Sequence, residues 1–147
     1  MLDSLFVTPA ITAIEEALAS AHVDGALAVV GNAKLATALA KRPARGGSAP
    51  VIPVGLSARA AKKHPNALDN LTTIKARELG AVIGVDATDD SLREWTRVVR
   101  DGGAIVLVDR GHAPEASRRA LCAGLTEIEQ RRIGRVVITS GLVTHLS

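Results

Sequence analysis

Apolar and polar positions along the chain form blocks whose periods separate strands from helices. Continuous apolar runs are typical of strands covered on both faces of a sheet, and three occur, at 26–31, 80–87 and 104–109. Apolar residues at helical spacing predict four longer helices, at 9–21, 33–42, 89–101 and 114–125. Strands and helices therefore alternate through most of the chain.

Capping residues give the expected ends of these helices. Thr8 followed by Pro9 is typical of a helix start, and Asp89 with Asp90 is expected to cap the third helix. The glycine pair at 102–103 is expected to terminate that helix, and Gly124 the fourth.

The remaining segments are less regular. Residues 51–56 resemble a strand, but Pro53 has no N–H to donate to a ladder, so we expect an edge position or irregular pairing. Residues 126–132 and 134–141 alternate like two antiparallel strands.

Alternating strands and helices predict an α/β fold, with a doubly wound, mostly parallel sheet flanked by helices and a C-terminal antiparallel hairpin. The 147 residues leave no room for a second domain of ordinary size. We expect one domain over 1–147, with an N-terminal helical segment at 1–22 and a core at 24–147.

Composition narrows the location and the redox chemistry. One cysteine, Cys122, rules out an internal disulfide, and its apolar helical surroundings favour a buried, inert thiol. The sequence has no basic leader with an apolar core and no apolar run long enough to span a bilayer, so no membrane association and a cytoplasmic location are expected.

The net charge of +3 is a mild basic excess. Two basic clusters stand out, and they are Lys34, Lys41, Arg42 and Arg45 in one segment and Arg59, Lys62 and Lys63 in another. Solvated helix faces are the favoured interpretation, and a weak contact with a polyanion is the alternative. Aromatic residues make up 1% of the chain, so no nucleic-acid partner is expected, because bases would have little to stack on.

Candidate acid and base groups follow two of the apolar runs. Asp86 comes at the end of the second, near Asp89 and Asp90, where open α/β sheets bind ligands. Asp109 and His112, with Arg110 between them, follow the third, on the same expected rim. The alternatives are a helix cap with a turn for the first group and an ordinary polar turn for the second.

The other histidines and the glycine after the first strand give weaker indications of a binding site. His22, His64 and His145 have no ligand spacing, so no metal site is predicted. The glycine at position 31 and its neighbours form neither a P-loop nor a full dinucleotide fingerprint, although the position before a helix could receive an anion.

From Gly80 onward the chain resembles the C-terminal half of class I S-adenosylmethionine-dependent methyltransferases. The segment RVVRDGGAIVLVD is similar to the family's join between a helix and the fifth strand, and AGLTEIEQRRIGRVVITSG to its last helix and reversed final hairpin. The resemblance covers 80–141 well and 24–60 loosely. It implies a Rossmann-like methyltransferase fold, with S-adenosylmethionine as the cofactor of an active member.

The cofactor motifs belong to the loosely similar part. Only Gly31 remains of the family's glycines after the first strand, and Ala28 stands where the family has an acid. At the end of the second strand, where the family has a carboxylate that holds the ribose, Ser57 is the nearest polar group. The resemblance gives Gly31, Asn32 and Ser57 as cofactor-binding residues if the protein is active.

The family's third strand would fall at 71–75. A parallel crossover to the next strand needs a dozen or more residues, and only about five are present. We therefore expect 70–79 to be helical or irregular, in a reduced version of the fold.

Two functional hypotheses follow, with a third behind them. The first is a noncatalytic methyltransferase-like domain without a cofactor, acting in protein interaction or regulation through a protein partner or a homodimer. The second is a divergent methyltransferase whose partner completes the site, with Asp86 near the transferred methyl group and Asp109 or His112 as base. Another small-molecule or nucleotide-binding α/β protein is the third.

An apolar N-terminal segment adds a possible interface. Leu2, Leu5 and Phe6 either fold back on the sheet or dock onto a second chain.

Overall fold

The computed structural model describes residues 4–21, 25–41, 50–64 and 66–145, and these form a single six-stranded sheet with helices on both faces. In chain order the elements are α1 (Ser4–Ser20), β1 (Leu27–Val30), α2 (Ala33–Lys41), β2 (Val51–Val54), α3 (Ala58–Ala61), β3 (Leu79–Val85), α4 (Asp89–Val98), β4 (Val99–Arg110), α5 (Ala113–Cys122), β5 (Thr126–Ile133) and β6 (Val136–Leu142).

The strand order across the sheet is β2-β1-β3-β4-β6-β5. The first four strands are parallel, whereas β6 runs antiparallel to both β4 and β5. The predicted doubly wound sheet with a C-terminal antiparallel hairpin is thus confirmed. The order reverses between β1 and β3, which is the topological switch point at which open α/β sheets bind ligands.

Each face of the sheet has its own apolar core, because apolar side chains alternate between the two faces of each strand. On one face α1 and α2 cover the sheet, with Ile14, Leu35 and Val106 fully buried among them. On the other face α4 and α5 pack, contributing Trp95 and Ala120. A salt bridge from Arg131 of β5 to Glu16 of α1 fastens the first helix to the hairpin.

Gly84, the last residue but one of β3, makes room for Trp95, the only tryptophan in the sequence. A Cβ at Gly84 would overlap the six-membered ring of Trp95, which is itself only 4% exposed. The glycine is therefore required by close packing, because Gly84 is not among the positions with a positive φ.

Beside the outer strand β2, the described chain forms a bridge of one residue. Leu68 pairs in parallel with Val54, donating from its N–H to the Pro53 carbonyl (2.9 Å) and accepting from the Gly55 N–H (2.9 Å). Residues 69–78 form turns and bends and no strand, in agreement with the expectation of an irregular segment. Pro53 lies on the outermost strand, as its missing N–H predicted.

Arg97 of α4 holds this irregular segment in place. Its guanidinium donates to the carbonyls of Ile74 and Leu71, each at 3.0 Å, and pairs with Glu94 at 2.7 Å. The Arg97 carbonyl in turn accepts from the N–H of Arg77 at 2.9 Å. One side chain therefore stabilises a stretch that has no regular hydrogen bonding of its own.

Two predicted helix ends were wrong at α4. Thr88 is the N-cap, with its hydroxyl accepting from the Ser91 N–H at 3.1 Å, while Asp89 and Asp90 fall in the first turn. The helix ends at Val98, and the glycine pair at 102–103 lies inside β4. A Cβ at Gly103 would collide with the carbonyl of Gly80, so close strand packing explains that glycine.

Two further expectations are corrected. The first helix starts one turn before Pro9, at Ser4, so the proline lies inside it. Cys122 is exposed, because the buried side of α5 is formed by Ala116 and Ala120. Leu2 and the side chains of Leu5 and Phe6 lie outside the described residues, and so the two alternatives for that segment are not decided.

No helix in the described ranges combines the length and apolarity that crossing a bilayer requires.

Candidate functional site

The carboxyl ends of the four parallel strands lie along one rim of the sheet, and every predicted site residue lies on or near it. Gly31 follows β1, Ser57 follows β2 and Asp86 follows β3. Asp109 is the last residue but one of β4, and the helix α5 begins just beyond it. Gly31 and Asp86 flank the switch point directly, since β1 and β3 are neighbours.

Gly31 is required by backbone conformation. Its φ of +88° is in the region that favours glycine, whereas a Cβ there would come no closer than 3.7 Å, to the Val85 carbonyl. Its N–H donates to the Val54 carbonyl at 2.9 Å. That N–H thus closes the end of the sheet and is not available to a ligand.

Asn32 and Ser57 both act as helix N-caps. The Asn32 Oδ1 accepts from the Leu35 N–H at 2.9 Å, and the residue is 9% exposed. The Ser57 hydroxyl accepts from the Ala60 N–H at 3.3 Å and is exposed at the surface. Both oxygens satisfy backbone donors that would otherwise be free, so they are already used in holding α2 and α3.

Asp86 has a left-handed backbone, with φ of +54°. Aspartate tolerates this conformation better than most residues, and the Asp86 N–H is fixed by the Val108 carbonyl at 3.1 Å. Its side chain is exposed at the switch point. The residue makes a sharp turn between β3 and α4 and also presents a carboxylate to solvent at the rim.

Asp109 is the one candidate acid that the fold buries, at 8% exposure. Its Oδ2 has no hydrogen-bond partner among the described residues. Burial raises the pKa of Asp109, because the charged form is poorly solvated there. The charge of Arg119 opposes this rise, that of Asp86 adds to it, and that of His112 opposes it, so these groups share one neighbourhood.

Arg119 was missed in the sequence. It comes from α5, where its spacing from Glu115 suggests an ordinary solvated ion pair, and it does lie 3.6 Å from that carboxylate. It also lies 3.9 Å from Asp89, so a cation sits between carboxylates from two different helices. Only the packing of α4 beside α5 reveals this, and no local pattern indicates it.

The other polar candidates divide between the rim and the rest of the molecule. His112 occupies the N-cap position of α5, makes no capping hydrogen bond and is exposed near Asp109, whereas Arg110 is exposed at the end of β4. The His145 ring contacts the Val99 carbonyl at 2.7 Å, far from the rim at the other end of β4. His22 lies outside the described residues. Among those described, no group of three potential ligands could hold a metal ion.

At Gly31, Asn32 and Ser57 the structure lacks the free polar groups that the sequence resemblance assigns to a cofactor. Segments 31–34 and 55–58 carry no carboxylate to accept hydrogen bonds from a ribose. The two polar oxygens present are engaged as caps, and the Gly31 N–H is bonded within the sheet. Among the described residues, the carboxylates along this rim are those around β3 and β4, and Asp69 lies near the end of β2, with its carbonyl 3.9 Å from the position that a Cβ on Gly55 would take.

Comparisons with known proteins show similarity in fold, and they show no match to a family model or to a curated protein. A solved complex between the Haloferax volcanii Trm112 methyltransferase activator and a protein described as a methyltransferase matches with a TM-score of 0.70 at 13% identity, over 91% of this chain and 89% of that one.

Two further structures give the same picture. A SAM-dependent methyltransferase from Thermotoga maritima matches with a TM-score of 0.67 at 14% identity, over 95% of this chain and 92% of that one. A T. thermophilus 16S rRNA methyltransferase, solved in complex with AdoMet and guanosine, matches with a TM-score of 0.61 at 18% identity, over 83% of this chain but 36% of that one. At such low identity the likeness establishes a methyltransferase-like fold alone.

Proposed function

We propose that this protein is a noncatalytic domain of methyltransferase-like fold that acts as an interaction or regulatory module. One observation carries the proposal: the oxygens of Asn32 and Ser57, at the positions where a cofactor would be held, are committed to capping α2 and α3. Freeing either oxygen to accept a hydrogen bond from a ribose hydroxyl would cost about 1 kcal/mol of helix stability, because the cap would be lost.

The reduced sheet supports the same proposal. Where the family has a third strand, this chain has one bridging residue, Leu68, and the turns that Arg97 fixes. A shorter wall beside β2 leaves less surface around the position of a bound nucleoside. A protein partner is consistent with the solved neighbour that occurs in complex with an activator.

The test is a titration of the purified full chain with S-adenosylmethionine and S-adenosylhomocysteine, each to millimolar concentration, with folding verified by circular dichroism. We expect no binding heat. A Kd near 1 μM, which corresponds to about 8 kcal/mol, would overturn the proposal. A methyltransferase known to bind the cofactor, titrated in the same buffer, serves as the positive control.

A separate measurement tests whether the module acts as a homodimer or binds a different protein. Sedimentation velocity across a concentration series distinguishes a homodimer from a monomer that awaits another protein. Self-association would assign the module to a homodimer, and a concentration-independent monomer would direct the search to a different chain.

A divergent methyltransferase is the second candidate, favoured by the buried carboxyl of Asp109 beside the exposed Asp86 and His112. A carboxylate with a raised pKa is a better proton acceptor, so Asp109 would be the base for an acceptor molecule at the rim. If the titration detects the cofactor, Asp109→Asn should abolish methyl transfer and leave the cofactor Kd within about twofold. Equal activity in the variant would exclude Asp109 as the base.

A further inference from the structure

A cleft of about 610 Å³ lies between α2 and α3, the helices that follow β1 and β2, and none of the acid group around Asp109 lines it. Cationic or imidazole side chains line it from both sides: Lys34 comes from α2, and Arg59, Lys63 and His64 come from α3 and the turn that follows it. The fold thus unites members of two basic clusters that lie 25 or more residues apart in the sequence.

These cations have no acidic partners in the described part of the chain. Lys34, Arg59 and Lys63 are all exposed, and no carboxylate lines the cleft. Elsewhere the arginines on the helices are paired, as Arg93 is with Asp90 and Arg118 with Glu115. Like charges gathered without counter-charges repel one another, and an anion bound among them would relieve that repulsion.

The remaining lining suits a small organic molecule. The methyl groups of Ala33, Ala38 and Ala60 provide an apolar surface, and the hydroxyls of Thr37 and Ser57 lie at its margin. Ser57 accepts a hydrogen bond from the Ala60 N–H but keeps its own O–H for donation. The volume falls within the roughly 300–1,000 Å³ of sites that hold one small ligand.

The position of Ser57 and Arg59 indicates which part of a ligand carries the charge. They follow the second strand, where α/β folds place a carboxylate against a ribose diol or an arginine against a phosphate on the ribose. This chain has a hydroxyl and a guanidinium there and no carboxylate. A guanidinium matches the oxygens of a phosphate in a two-pronged geometry.

We propose that this cleft binds a small phosphate monoester, of the class of a nucleoside with a phosphate on its ribose. Arg59 and Lys63 contact the phosphate from one side and Lys34 from the other, while the alanine methyl groups support the nucleoside. The inference goes beyond the proposed function and does not rest on the absence of S-adenosylmethionine.

The experiment is a titration of the full chain at low ionic strength with 2′-AMP, 3′-AMP and 5′-AMP, and with adenosine and inorganic phosphate for comparison. We expect at least one AMP isomer to bind and adenosine to bind at least about tenfold more weakly, because it lacks the charged group. The 2′ or 3′ isomer is expected to bind more tightly than the 5′ isomer.

Substitutions assign the binding to the cleft. Lys34→Gln, Arg59→Gln and Lys63→Gln are each expected to raise the Kd about tenfold. Lys62→Gln is the matched control, because Lys62 is an equally exposed neighbour on the same turn that does not line the cleft. It should change the Kd by less than about twofold. All four residues are at the surface, so the variants should fold as the parent does.

Several results would overturn the proposal. Absence of binding by every AMP isomer would do so, as would adenosine binding as tightly as its phosphates. If Lys62→Gln raised the Kd as much as the three cleft variants do, the binding would depend on general surface charge and not on the cleft. A single-stranded oligonucleotide that binds while the mononucleotides do not, with affinity growing with its length, would assign the surface to RNA instead.

Discussion

The strands in the two halves of the sheet differ in length. In the C-terminal half, β3 to β6 are 7 to 12 residues long, whereas β1 and β2 in the N-terminal half have 4 residues each. Both halves contribute to the same rim of strand ends. The long strands bury most of the sheet's apolar side chains, so the C-terminal half contributes most of the sheet's share of the apolar core.

Polar chemistry divides along the same boundary. The C-terminal half holds carboxylates and a paired arginine around Asp109, while the N-terminal half holds the cations around Lys34 and Arg59, which have no acidic partner among the described residues. One half offers an acid and the other an anion-binding surface. A molecule that used both would have to bridge the switch point between β1 and β3.

The largest effect is expected from Gly84, and it tests the close packing of β3 against Trp95 in the C-terminal half. Gly84→Ala should lower the free energy of unfolding by about 3 kcal/mol, because the added methyl group would overlap the Trp95 ring. Gly31→Ala is the matched change in the other half and should cost about 1 kcal/mol, for its backbone conformation alone. Urea unfolding of both variants measures the difference.

The double variant Gly84→Ala with Trp95→Leu sharpens this result. A smaller side chain frees the space, so the combined loss should be less than the sum of the two single losses. Additive losses, or equal losses for the two glycine variants, would contradict the packing explanation.

A smaller effect is expected from Arg97, which joins the halves. Arg97→Met should lower the free energy of unfolding by about 1.5 kcal/mol, because the carbonyls of Ile74 and Leu71 lose a charged donor. Limited proteolysis should then cut within 72–78 faster. Arg93→Met, one turn earlier and exposed, should change stability by less than about 0.5 kcal/mol. Equal protease sensitivity in the two variants would show that Arg97 does not hold the segment.

The smallest effect is expected from Asp109. Its pKa is higher in the folded protein, so the folded state holds the proton more tightly, and ionisation destabilises the fold as pH rises through that pKa. Asp109→Asn should therefore raise the melting temperature at pH 7 by a few degrees at most, with the gain disappearing below about pH 4, where the parent carboxyl is protonated in both states.

The exposed Asp86 provides the control for that measurement. Asp86→Asn removes a nearby charge without removing a buried one, and it should give a smaller gain at pH 7. A lower melting temperature for Asp109→Asn at pH 7 would show that the attraction of Arg119 outweighs the burial of the carboxylate.

Most of the fold could be predicted from the residues. The continuous apolar runs of β3 and β4 and the alternation of β5 and β6 are local signals, and the count of residues after position 75 indicated that a full third strand would not fit. The join between α4 and β4 was not predictable, because a glycine pair looks the same in a helix stop as in a strand. Only the approach of Gly80 distinguishes them.

The site was less predictable, for a physical reason. The caps formed by Asn32 and Ser57 act over three residues, so their spacing was present in the sequence. The meeting of Lys34 with Arg59, or of Arg119 with Asp109, depends on how helices pack across the sheet. Each of these residues fits an ordinary solvated helix face when the sequence is considered alone.

The single bridge at Leu68 also affects how the edge of the sheet at β2 can pair with strands of other molecules. An outer strand with free N–H and C=O groups is a template for strand pairing and aggregation. On β2 the outward carbonyls of Val51 and Pro53 accept from the Asn66 side chain and the Leu68 N–H, Gly55 donates to Leu68, and proline has no hydrogen to offer. A few contacts therefore occupy these outward carbonyls of β2. Association through β2 by sheet extension is thereby disfavoured, and a partner on that side must recognise side chains.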